Sequence, residues 1–202
     1  MQFSKIKLHL PNTLKPISMY KKLTLGALCC AILYFNSCKN GNTEETPVPV
    51  GMVRLDLTKA GLPATIDVPD TTKKINGIEA LSSGSIHVFV GKGFHILINV
   101  SGEAVSMKKS DVNGDDLNKP KAWVVNDSNC ILYSTQKDTN AFANAKEEYH
   151  FYTVIRKGKA SYYVQDMTQG SNGDVFVFGL QDAQTMLTSA KSLTPVVPPA
   201  KS

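Results

Sequence analysis

The chain has 202 residues, 42% of them hydrophobic and 19% charged, with a formal net charge of +5 from 22 Lys+Arg against 17 Asp+Glu. That mixture excludes a disordered or fibrous chain, and the length suits one domain or two. The charge has an address: Lys5, Lys7, Lys15, Lys21 and Lys22 all precede Cys38, and no acidic residue does. From Cys38 onward the remaining 17 basic side chains (22 less those five) equal the 17 acidic ones, so no electrostatic argument favours nucleic acid as a partner.

Residues 19–38 begin Met-Tyr-Lys-Lys, continue through a 13-residue apolar run from Leu23 to Phe35, and end Asn-Ser-Cys. A short basic region, an apolar stretch and a small residue before cysteine form an export signal. The run is too short to span a bilayer, which takes about 20 residues, and this argues against a transmembrane anchor. Phe35-Asn36-Ser37-Cys38 resembles the lipobox of bacterial lipoproteins, with Ser37 small at the preceding position and Cys38 the residue to be lipidated. Phe35 and Asn36 depart from the commonest form of that motif. Met19 is a better start than Met1, which leaves residues 1–18 in doubt as translated sequence. The segment after Cys38 is polar and rich in Pro, Gly and Asn, as a flexible tether requires. The expected organisation is therefore a leader over 1–37, a lipidated cysteine and tether over 38–50, one globular domain over 51–194, and a Pro-rich tail over 195–202. The expected location is the periplasmic face of a bacterial membrane, with surface display as the alternative: Glu44 and Glu45 are acidic but lie some way from Cys38 for an export signal.

Within the domain, Val53–Leu57 and Ala64–Pro69 alternate with period two and predict strands, and Ile75–Leu81 is a weaker third. Ile86–Val90, the loop Gly91-Lys92-Gly93 and Phe94–Val100 predict a hairpin. Pairing Val90 with Phe94 places Ile86, Val88, Val90, Phe94, Ile96, Ile98 and Val100 on one face. His87, Phe89, His95, Leu97 and Asn99 then share the other, which is apolar enough to need partial cover. Ser101–Asn118 is compatible with a helix. Lys121–Val125 and Ile131–Thr135 flank the turn formers Asn126–Asn129. Tyr149–Arg156 and Lys159–Asp166 form a second hairpin about Lys157-Gly158, and Asp174–Phe178 is strand-like. Ala183, Met186, Leu187, Ala190 and Leu193 make one stripe of an amphipathic helix that Pro195 ends.

Antiparallel strands closed by a helix predict an α+β domain: a central, mostly antiparallel sheet with flanking helices, the C-terminal one packed on the sheet. Two segments, Leu62-Pro-Ala-Thr-Ile-Asp-Val-Pro-Asp and Leu180–Leu193, together with the order of elements between them, resemble the PsbP/Mog1-like α/β/α sandwich. That resemblance covers most of 52–194. It implies a fold shared by photosystem-associated proteins, a Ran-binding protein and bacterial lipoproteins, and therefore no single activity and no transferable site residue.

Few residues carry a chemical signal. His87 and His95 fall on the same face, diagonal across the hairpin at roughly 7–8 Å, and are the metal candidates, although a zinc site needs a third or fourth ligand. His150 has no sequence link to them. Asp111–Asp116 places oxygen ligands at calcium-loop spacing, but Asp116 stands where Gly belongs and Ala122 where Glu belongs, so a turn or helix end is expected. Gly91-Lys-Gly93 and Arg156-Lys-Gly-Lys159 are basic hairpin tips, and Trp123, Tyr149, Tyr152, Tyr162 and Tyr163 suit strands or a groove. Cys130, left without a disulfide partner, is expected as a small buried hydrophobe. No catalytic residue and no cofactor is expected. The expected function is a non-catalytic binding or assembly module, held to the membrane by its lipid and engaging an envelope protein or a small ligand. The alternative is a metal-handling protein or enzyme using the His87/His95 face.

Overall fold

A computed structural model describes residues 47–72, 76–137, 146–170 and 172–196. The leader, Cys38 and most of the tether, together with Ile75 and the tail beyond Val196, lie outside the described residues. The elements run β1 (Met52–Asp56), a 3-10 turn (Thr58–Ala60), β2 (Ala64–Pro69), β3 (Asn76–Ala80), β4 (Ile86–Val90), β5 (His95–Asn99), α1 (Val105–Gly114), β6 (Asn118–Asn126), β7 (Cys130–Lys137), β8 (Glu147–Lys157), β9 (Ala160–Asp166), α2 (Leu180–Ser192) and β10 (Thr194–Pro195). The domain is α+β, and both of its sheets are antiparallel. Seven strands form one in the order β3-β4-β5-β9-β8-β7-β6, and three form the other in the order β1-β2-β10.

The β4–β5 hairpin takes the register that its apolar residues dictate. Phe89 opposes His95, Val88 opposes Ile96, and the amide of Val90 donates to the carbonyl of Phe94 at 2.9 Å. Ile86, Val88, Val90, Phe94, Ile96 and Ile98 are all buried, as one face of a core requires. Val100 is not part of that face. It follows the last paired residue of β5 and is 63% exposed. The β8–β9 turn falls at Gly158-Lys159, one residue later than expected, with Gly158 at φ +58°. The resulting pairing differs from the expected one by two residues and so leaves every side chain on its expected face.

Helix α2 presents Ala183, Met186, Leu187, Ala190 and Leu193 to the core, all buried. Asp182 accepts the Gly179 amide at 3.1 Å, which satisfies one free donor at the helix start. The helix packs on β8, β9 and β2 and so joins the two sheets through one continuous core. Thr194 and Pro195, expected only as the end of the helix and start of a tail, pair with β2. Asp67, polar in an alternating strand, is 3% exposed; Arg54 directly opposite donates to both its carboxylate oxygens, at 2.8 and 3.2 Å.

Helix α1 lies against the other face of the large sheet. It buries only Val105 and Val112, which meet Ile131, Tyr133, Tyr152 and Val154. Because it covers β6, β7 and β8, it leaves the β3–β4–β5 half of that face to other cover. Asp174–Phe178, expected as a strand, supplies part of it as irregular chain, joined to its neighbours by an isolated bridge between Gln169 and Val175 and by the Tyr149 amide, which donates to the Phe178 carbonyl at 3.0 Å. Among the described residues no helix is long and apolar enough to cross a membrane.

Candidate functional site

Where α1 does not reach, strand alternation turns His87, Phe89 and His95 toward an open cleft of about 820 Å³. Glu79, Lys92, Gly170, Asn172 and residues 174–177 complete its walls. The cover inferred from the semi-apolar face is Phe176, whose ring stacks on His95 with centroids 3.6 Å apart and planes 19° from parallel. Its amide donates to Thr168 at 2.8 Å, and the Gly170 amide donates to Asp174 at 2.8 Å, so the covering segment is tied to itself and to the end of β9.

The two histidines meet, as their shared face required. His87 Nε2 lies 3.2 Å from His95 Nδ1, and both residues are buried. The outer nitrogens are also engaged: His87 Nδ1 is 3.2 Å from a Glu79 carboxylate oxygen, and His95 Nε2 is 3.0 Å from the Gly91 carbonyl oxygen. Glu79 sits directly opposite His87 across β3–β4. Burial, and then the neighbouring His87, hold His95 below the ordinary imidazole range, while the Gly91 carbonyl and Glu79 pull it the other way.

Geometry separates a hydrogen bond from chelation here. The ring centroids are 5.4 Å apart, close to the nitrogen separation plus the two ring radii, so the facing nitrogens point almost straight at each other. Two imidazoles on a tetrahedral zinc, with bonds of about 2.0–2.1 Å, would instead aim their lone pairs at a point off that line. Among the described residues no group of three or more His, Cys, Asp and Glu side chains converges to hold a metal ion.

His150 belongs to a second cleft, of about 520 Å³, on the same face of the sheet and on the other side of the 175–177 segment. Its Nδ1 lies 2.8 Å from Asp166 Oδ2 and its Nε2 lies 3.2 Å from Thr135 Oγ1. The other Asp166 oxygen accepts the Phe151 amide at 2.7 Å. Burial pushes His150 down, but the hydrogen bond and charge of Asp166, helped by Glu148, outweigh it and raise its pKa. Carboxylate, imidazole and hydroxyl thus stand in the order of an acyl-transfer triad. Asp166 orients the imidazole as the carboxylate of such a triad does, with the Thr135 hydroxyl at its Nε2.

The remaining sequence candidates fall into structural roles. Asp111–Asp116 closes α1, where Asp115 accepts the amides of Leu117 and Asn118, both at 2.9 Å. Cys130 opens β7 and is 3% exposed, and burial pushes its thiol up, away from the reactive thiolate. Arg156 at the β8–β9 tip donates to Asn129 at 2.6 Å. Trp123 packs against Tyr133, and Tyr152 donates its hydroxyl to the Glu103 carbonyl at 2.7 Å, so these aromatics serve the α1 side of the sheet.

Sequence reasoning missed Glu79, Phe176 and the Asp166–His150–Thr135 row. Glu79 was within reach, because pairing Ala80 with Ile86 across the 81–85 loop sets it opposite His87. Phe176 carried no such signal, since its segment has strand composition without strand pairing. Comparison with known proteins finds no matching family model, no similar curated protein and no similar solved structure.

Proposed function

We propose that this chain is a lipid-anchored protein of the bacterial envelope whose domain is a non-catalytic binding or assembly module. Its ligand or partner would engage the cleft over His87 and His95. The observation that carries this reading is the cleft over the half of the large sheet that α1 does not cover: a concave, mainly apolar site with a few convergent polar groups is the usual form of a ligand pocket. The export signal and Cys38 support placement at the periplasmic face of a membrane. A helix on each face of an antiparallel sheet is compatible with the PsbP/Mog1-like sandwich, which remains part of the proposal. Metal handling on the same face is disfavoured by the head-on approach of the two histidines.

The test is photo-cross-linking in cells from positions replaced one at a time by a photoreactive residue. Lys92 and Asn172 report on the cleft, and Lys157 on the far β8–β9 tip reports on the background. The proposal expects one discrete adduct from both cleft positions and none from Lys157. Equal labelling from all three, or none from the cleft, would overturn it.

A further inference from the structure

The contacts of His87 and His95 impose a count of hydrogens. The row has two ends, a Glu79 carboxylate and the Gly91 carbonyl, and both accept hydrogen bonds without donating any. Between them lie three contacts, of 3.2, 3.2 and 3.0 Å, each requiring one hydrogen. Two neutral imidazoles supply only two. Any arrangement with neutral rings and an ionised Glu79 therefore leaves two acceptors facing each other.

We propose that Glu79, His87, His95 and the Gly91 carbonyl form a proton-binding site, which holds its third hydrogen on His87 and releases Glu79 into the cleft mouth when that proton leaves. Glu79 and Gly91 can only accept, so His87 carries a hydrogen on Nδ1 and His95 one on Nε2. The third hydrogen lies between the two rings, and the Glu79 carboxylate in contact with His87 favours the charge on that ring, which leaves the His95 Nδ1 lone pair facing it. His87 then donates from both nitrogens, to His95 and to Glu79, as an imidazolium does. Burial, which lowers the His95 pKa, agrees with this assignment. The head-on approach of the nitrogens suits a shared hydrogen and not a chelated metal.

The charged groups around the row come from every element that borders it. Glu79 stands on β3, Lys92 on the β4–β5 turn and Asp174 on the covering segment, while Asp182 of α2 lies against Gly93. Only Glu79 touches His87. When the site loses its proton, one of the three contacts must open. The His87–His95 contact is buried and the Gly91 acceptor is fixed backbone facing a buried ring, so a polar group left unpaired at either is costly. The Glu79 side chain is 46% exposed and can exchange His87 for water, so the outer contact opens. This places a pH-dependent carboxylate at the entrance of the cleft, and it holds whether or not the cleft binds a partner.

Nitrogen-15 NMR of the histidine rings reads charge and tautomer directly in the purified full-length chain. Between about pH 5 and 9, where imidazoles titrate, His87 should pass from imidazolium to the neutral form bearing hydrogen on Nε2. His95 should remain neutral with hydrogen on Nε2 throughout. In Glu79→Gln the side-chain amide donates to a neutral His87, so two hydrogens plus that amide complete the row; the His87 midpoint should fall by about one unit or more. The same midpoint in both proteins would overturn the proposal. So would a wild-type spectrum with the charge on His95, or with the His95 hydrogen on Nδ1, and that spectrum needs no variant.

Discussion

Replacing Asp166 by Asn separates charge from shape in the second cleft. The amide is nearly isosteric, its oxygen still accepts the Phe151 amide, and its nitrogen donates to His150 Nδ1 once the imidazole shifts its hydrogen to Nε2, where Thr135 accepts it. What disappears is the charged acceptor at 2.8 Å from a ring that is 15% exposed. A hydrogen bond to a charged group contributes about 1.5–3 kcal/mol and a neutral one about 0.5–1.5, so the variant should lose about 1–2 kcal/mol, or about 3–6 °C in Tm for a domain of this size. The loss should depend on pH with a definite sign. Asp166 raises the folded pKa of His150 above its unfolded value, so the stability gained is fully present below the ordinary imidazole pKa and is lost as pH rises through the raised value. Urea unfolding of both proteins at about pH 5.5 and 8.5 measures this, with the His150 ring followed by NMR to keep it apart from His95, whose depressed pKa works in the opposite direction. The penalty should be larger at the lower pH. An equal penalty at both, or a larger one at pH 8.5, would refute the assignment of Asp166 as the group that holds the proton on His150.

Two further substitutions probe the cover of the first cleft and the core behind its sheet. Phe176→Ala removes the ring stacked on His95 and should cost about 2 kcal/mol, with faster amide exchange over 168–178 and unchanged protection in α2; equal loss of protection in both would show that the segment is part of the core rather than its cover. Met186→Ala empties a fully buried position between α2 and the sheet and leaves the His95 amide without the sulfur it meets at 3.3 Å. About 3 kcal/mol and roughly 6–12 °C should be lost in thermal unfolding.

Much of this fold was legible because its strands alternate and its last helix has a full apolar stripe. Ile86 to Ile98 admits one register that buries every apolar side chain on one face, and Ala183 to Leu193 admits one face for the helix. The same register brought His87 and His95 to one side. What pattern could not supply was the third dimension of that side. Diagonal strand positions stand several ångströms apart at the backbone, yet long side chains leaning toward each other close the gap to 3.2 Å. Helix α1 was only weakly readable, because two buried valines and cation–ring contacts, Lys109 over Trp123 among them, hold it down without an apolar stripe. Asp174–Phe178 misled for the opposite reason, since Phe176 there covers a sheet instead of joining one, while Val175 and Val177 stay exposed. His150 was isolated in sequence because its partners Asp166 and Thr135 come from the strands on either side, and only a register carried across β7, β8 and β9 sets them together.

As proposed, Cys38 holds a neutral domain at a membrane. Metabolic labelling of cells with radioactive palmitate, followed by fractionation, tests that placement most directly. The wild-type chain should carry label in the membrane fraction, and Cys38→Ala should carry none and leave that fraction. Unlabelled wild-type protein, or a Cys38→Ala chain that stays labelled and membrane-bound, would contradict it.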